Sequence, residues 1–167
     1  MFNKRIPSPL VPYNLYWLLL SLIILLLDQL TKYLASHFLT LYQPLPLVPF
    51  FNLTLAYNTG AAFSLFAHMK HSVLFLTLFA IAMSLFILVW LLRLTKNNTN
   101  AWLSIALALI LGGALGNLLD RVLYGYVIDF IDVYWRIWHW PAFNIADSAI
   151  CIGVAMVCLD CIKKQQK

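Results

Sequence analysis

The chain has 167 residues, 63% of them hydrophobic and 10% charged, with a formal net charge of +5 and a mean hydropathy of +0.85. Soluble domains are about half apolar and about a quarter charged, and disordered chains combine low hydrophobicity with high net charge, so neither class fits. The 11 Lys and Arg residues form no dense basic run, which argues against a nucleic-acid binder, and the length suits about three to five membrane helices of about 20 residues each.

In chain order, the first apolar block covers residues 13–34 and is uncharged until Asp28 and Lys32. Lys4 and Arg5 resemble the n-region of a cleavable signal peptide. The apolar stretch is long, however, and no A-x-A-like site follows it, so a retained span is expected. The connection at 35–70 holds the segment 42–66, with three prolines, Phe50-Phe51, a strand-like stretch at 51–57 and an Asn58-Thr59-Gly60 turn. Such a segment predicts a small β-rich platform. Blocks two (71–92) and three (101–119) contain no Asp, Glu, Lys or Arg. The connection at 120–142 carries Tyr124, Tyr126, Tyr134, Trp135, Trp138 and Trp140, an aromatic belt expected to lie along the membrane surface. The fourth block, 143–162, has Asp147 near its start and Asp160 near its end.

Each block is long enough to cross a hydrocarbon core of about 30 Å at about 1.5 Å per residue. The predicted architecture is therefore an all-α polytopic membrane protein of four transmembrane helices. The platform and the interfacial aromatic segment complete one integral membrane domain over residues 1–167. With four spans, Lys4, Arg5, Arg93, Lys96, Lys163, Lys164 and Lys167 share one side, against Lys32, Lys70, Arg121 and Arg136 on the other. Seven against four predicts cytoplasmic termini, with both long connections outside.

All six acidic residues are aspartates: Asp28, Asp120, Asp129, Asp132, Asp147 and Asp160. Carboxylates in or beside membrane spans are costly and point to function. Gly112, Gly116 and Asp120 form one row at four-residue spacing, and Gly113, Asn117 and Arg121 a second. Both rows lead along a helix face to polar groups at its outer end. The glycines alone read as close helix packing; Asn117, Asp120 and Arg121 read as a polar cluster. Asp28 and Lys32, also i,i+4, fit a mutual ion pair, an outward-reaching Lys32, or a brace against the third and fourth helices. Asn144 reads as an N-cap with Asp147 at the third helical position, and a desolvated Asp147 equally suits general-acid work. Two carboxylates brought together cannot both ionise cheaply, so one retains a proton to donate while the other activates water. Asp129 with Asp147 is one such pairing; Asp120, Asp132 and Asp28 are rival partners.

Other chemistries fit less well. Ser36 follows Lys32 by four residues, but a Lys32 held beside Asp28 stays charged and is no base. His68 and His71 form an H-x-x-H without the acid of a zinc protease signature, and no metal or cofactor is expected. Cys151, Cys158 and Cys161 read as membrane filler on the last helix. His37, His139 and Asp132 read as interface packing or solvated groups.

Five motifs, in order, closely resemble the lipoprotein signal peptidases (signal peptidase II) over nearly the whole chain: Asp28-Gln29-Leu30-Thr31-Lys32; Tyr57 to Ser64, YNTGAAFS; Gly112 to Arg121, GGALGNLLDR; Val127-Ile128-Asp129-Phe130; and Phe143 to Ala149, FNIADSA. The resemblance implies a bacterial inner-membrane aspartic peptidase with four helices, active at its periplasmic face. It implies cleavage of prolipoproteins just before a cysteine that already carries diacylglycerol, without a cofactor, by a monomer whose other partner is membrane lipid. Carried over residue by residue, Asp129 and Asp147 are catalytic. Asn144 and Ala146 shape the site, Asn117 and Arg121 support substrate or dyad, with Gly113 beside them, and Asn58 and Gly60 supply a substrate-contacting edge. Asp28 and Lys32 stabilise the assembly, and aromatic residues at 124–140, Tyr134 and Trp138 among them, are expected to form a lid. Judged on its intramembrane polar groups alone, the chain equally suits a small transporter or proton pathway, or a non-catalytic scaffold in which both aspartates are replaceable.

Overall fold

The computed structural model describes residues 13–60, 71–94 and 101–165. Along these run α1 (Tyr13–Phe38), β1 (Leu45–Val48), β2 (Phe51–Asn58), α2 (Ser72–Arg93), α3 (Ala101–Tyr124), β3 (Val127–Trp135), β4 (Trp138–His139) and α4 (Ile145–Gln165). All four helices are long and apolar enough to cross a membrane, and their outward faces carry exposed large hydrophobic side chains such as Leu26, Leu78 and Ile152. Such surfaces favour lipid over water. The chain is a multi-pass membrane protein.

α3 is the hub: it packs against α1, α2 and α4, and 56% of its spanning window is buried, against 22% in each other helix. Its glycines permit this. A Cβ on Gly113 would collide with the backbone carbonyl of Ala146 and with Ile150, and one on Gly116 would lie 2.5 Å from Asp28 Oδ2. Close approach at small residues is how membrane helices gain dispersion contacts without a hydrophobic drive.

The helices run beyond their predicted ends. α3 continues to Tyr124, so Asp120 and Arg121 sit on the helix and not in the following connection. Nothing between Leu119 and Tyr124 breaks a helix; the stop is Gly125, at φ 79°, whose N–H bonds Arg121 O at 3.1 Å in the manner of a left-handed cap. α1 likewise extends to Phe38, and α4 begins at Ile145 because Phe143 is held in a bridge to Ile131.

The platform is a four-stranded antiparallel sheet in the order β1-β2-β3-β4. The 42–66 segment supplies only β1 and β2; the connection expected to lie along the membrane surface supplies β3 and β4. Between Leu53↔Ile131 and Ala56↔Asp129, β2 advances three residues while β3 retreats two, a bulge that re-aims the strand end. One face packs on the end of α1 through Ala35, Leu55, Ile128 and Phe130. Positions 61–66 of the platform segment, His68, and the lysines and arginine at 4, 5, 70, 96 and 167 lie outside the described residues.

Candidate active site

At the floor lies a buried ion network. Lys32 Nζ is 2.8 Å from Asp28 Oδ2 and 2.7 Å from Asp120 Oδ2, and donates to Asn117 Oδ1 at 2.9 Å. Three acceptors occupy all three ammonium hydrogens, so Lys32 is held inward and away from exposed Ser36. The network reaches every neighbouring element. Asp28 Oδ1 accepts the N–H of Ala146 at 2.9 Å, and Asp120 Oδ2 accepts that of Ile128 at 3.1 Å. Gln29 Nε2 joins Asp120 Oδ1 at 2.9 Å and Gly116 O at 3.2 Å. Sequence reasoning missed Gln29 in this role; the signal was an amide inside an apolar helix beside Asp28. Asp120, a rival partner for the dyad, is committed here.

Above the floor, Asn117 and Asn144 carry the network to Asp129 and Asp147. Asn117 Nδ2 donates to Asp147 Oδ1 at 2.7 Å. Asn144 Nδ2 donates to Asp129 Oδ1 at 2.7 Å and lies 3.2 Å from Asn117 Oδ1. At the start of α4, Asp147 N donates to Asn144 Oδ1 at 2.9 Å, while Asp147 Oδ2 accepts Asn144 N at 3.3 Å. This reciprocal pair is a capping box. The cap and the site are thus one construction: Asn144 starts α4 with its carbonyl oxygen and grips Asp129 with its amide.

Asp129 is 2% exposed. From β2, Asn58 Nδ2 donates to its Oδ2 at 3.1 Å. Burial, with the charge of Asp147 second, pushes its carboxyl up to about 7, against the opposing pull of Asn58, Lys32 and Asn144. Asn58 Oδ1 also accepts the N–H of Gly60 at 2.9 Å, and Gly60 O accepts Arg121 Nη2 at 3.1 Å, so the β2 end and the α3 end are tied together. Gly113 and Ala146 form an α3–α4 contact one residue before Asp147.

Both aspartates line a cavity of about 840 Å³ that also takes in Asn58, Asn117, Arg121, Tyr42, Tyr57 and the wall from Trp140 to Phe143. Of the aromatic residues expected as a lid, Trp140 faces this cavity; Trp138 and Tyr134 do not. Tyr134 is turned instead against His139, with ring centroids 5.1 Å apart. Asp132 is engaged elsewhere on the sheet, with His139, Asn52 and Thr54. Cys151, Cys158 and Cys161 are free and exposed, and Cys151 borders the cavity.

The family model for signal peptidase (SPase) II matches residues 20–163. The lipoprotein signal peptidase of Teredinibacter turnerae is 51% identical over 152 residues, which cover 87% of this chain and 86% of that protein. That of Pseudomonas putida is 50% identical over 156 residues, covering 92% and 90%. A solved structure described as a bacterial membrane enzyme superposes with a TM-score of 0.81 at 29% identity and covers 92% of each chain. With four membrane-spanning helices and a sheet around a buried Asp129 and a half-buried Asp147, the chain belongs to the signal peptidase II family and is a lipoprotein signal peptidase, a membrane-embedded hydrolase of peptide bonds.

Proposed function

We propose that this peptidase works through an aspartyl dyad, Asp129 with Asp147, and cuts the bond just before a diacylglyceryl-modified cysteine. The observation that carries the reading is the bridge at Asn144: its side-chain amide donates to Asp129 Oδ1, its backbone N–H donates to Asp147 Oδ2, and both carboxyl groups face the same cavity. Carboxyl groups so coupled titrate as a pair and share a proton near neutrality. Asp129 carries that proton. Asp147, which accepts N–H bonds from Asn117 and Asn144, takes a proton from water as the water oxygen attacks the scissile carbonyl carbon. Asp129 delivers its own proton to the carbonyl oxygen. The tetrahedral adduct collapses when a proton passes to the amide nitrogen of the lipidated cysteine, and the C–N bond breaks. Asn58 and Arg121, both hydrogen-bonded to Gly60, border the cavity where the extended peptide would lie, and irregular backbone at membrane depth is tolerable only when enclosed by protein in this way.

The same reading places the chain in the inner membrane of a bacterium as a monomer, termini in the cytoplasm and the dyad at the periplasmic face, in accord with the Lys and Arg distribution. The lipid chains of the substrate stay in the bilayer while the cysteine junction rises to the dyad. A gel-shift assay with purified protein and a diacylglyceryl-modified prolipoprotein tests this. Wild type should cleave it and leave the unlipidated precursor intact, whereas Asp129→Asn and Asp147→Asn, both folded, should lose at least about 10³-fold in rate. Continued cleavage by either variant dismantles the dyad; a folded wild type that cleaves nothing favours transport through the same polar groups.

A further inference from the structure

One polar cluster on the sheet has no part in the chemistry above. Asp132 on β3 is 5% exposed. Its Oδ2 accepts Asn52 Nδ2 at 3.1 Å and Thr54 Oγ1 at 2.9 Å, both from β2, and its Oδ1 lies 2.8 Å from His139 Nδ1 on β4. Burial raises this carboxyl, but the bonds from His139, Asn52 and Thr54 outweigh it and hold the group below the ordinary carboxylate range. A carboxylate only accepts, so His139 Nδ1 carries the hydrogen of that bond. One side chain thereby pins three strands together.

β4 needs such a pin. It is two residues long, paired only through Tyr134↔His139 and Trp135↔Trp138, and a ribbon that short has little stability of its own. Immediately after it, Trp140 N bonds Val133 O at 2.8 Å, and Phe143 is fixed by Ile131 in both directions, N to O at 3.1 Å and O to N at 2.8 Å. The four residues between these anchors, Trp140 to Phe143, all line the cavity that holds the dyad. This wall is suspended between His139 at one end and the Asn144 cap of α4 at the other.

We propose that Asp132 and His139 are positioning residues for the peptidase: their hydrogen bond sets the β4 end of the Trp140–Phe143 wall and so how firmly the cavity holds the peptide. The pair touches neither the dyad nor its asparagines. Its loss therefore weakens substrate binding and leaves the chemical step intact, a rise in KM with kcat preserved. The inference rests on the peptide occupying this cavity.

His139 is the residue to change, because its side chain is 48% exposed and its removal leaves Asp132 bonded to β2. His139→Ala should raise KM about tenfold with kcat within about twofold of wild type, while His139→Asn, whose amide nitrogen can take the place of Nδ1, should bring KM back to within about twofold. Hydrogen exchange at Trp140 and Phe143 should quicken in the alanine variant and recover in the asparagine variant. An unchanged KM in His139→Ala, a loss confined to kcat, or an asparagine variant no better than alanine would each overturn the proposal. A wild type that does not cleave, or an Asp129→Asn that still does, counts against the dyad instead, and the exchange measurement reads the wall without turnover.

Discussion

Lys32 and Asp129 show how single residues at this site depend on their surroundings. Among the described residues Lys32 is the one cation paired with Asp28 and Asp120, both wholly buried. Removing one member of a buried ion pair strands its partner without water or counter-charge, at about 3–5 kcal/mol. Lys32→Met should therefore lower stability by about that amount, read as thermal unfolding in detergent, although Met nearly conserves the volume. At Asp129 the sign is opposite to that of a salt-bridged carboxylate. Its folded value of about 7 stands above the ordinary 3.8, so between those limits the folded protein binds more protons than the unfolded chain. Stability falls as pH rises from about 4 through about 7. Asp129→Asn should flatten this dependence in thermal melts taken across that range. In the wild type, loss of the Asp129 proton should produce an alkaline limb in kcat/KM, which reports the free enzyme, centred near pH 7.

Among the elements, the α3–α4 contact decides where Asp147 stands. Gly113 touches the backbone of Ala146, and Ala146 N–H is anchored to Asp28, so α4 is located from two sides one residue before Asp147. Gly113→Ala forces a methyl group into that contact. Overpacking of this kind costs about 1–3 kcal/mol, and moving a catalytic group by about 1 Å lowers rate by about 10²-fold. The variant should lose cleavage in the gel-shift assay while its melting temperature still marks a folded protein. The helices were legible in the sequence because four uninterrupted apolar blocks state their own length; their ends were less so. The apolar block stops at Leu119, since hydropathy ends where charge begins, whereas the helix that the four-residue rows to Asp120 and Arg121 imply continues to the glycine that can adopt a positive φ. The capping of α4 by Asn144 was legible, being a local bond between residues three apart.

At the scale of the whole molecule, topology is the open measurement. A C-terminal fusion to a fluorescent protein that folds only in the cytoplasm should glow, and the same fusion to a phosphatase active only in the periplasm should be inactive; the reverse result would turn the site to the other face. Composition, the four apolar blocks and the order of the motifs determined the class of protein and the family, because a membrane span is a property of a contiguous stretch and a motif is local by definition. Only the tertiary structure sorts the aspartates into their separate hydrogen-bond networks. Asp120 and Asp129 lie nine residues apart, yet one is consumed by Lys32 from α1 and the other meets Asp147 through Asn144. It also decided that the second aromatic connection completes the sheet, and that Asp132 with His139 closes β4 onto β2 and β3. The links from Lys32 to Asn117, Asn52 to Asp132 and Asp28 to Ala146 join residues about 80 to 120 positions apart in the chain, whereas Asp129 to Asn144 and Asp132 to His139 span 15 and 7. The long-range links satisfy charges and polar groups whose burial would otherwise be costly, and no short window along the chain contains both of their partners.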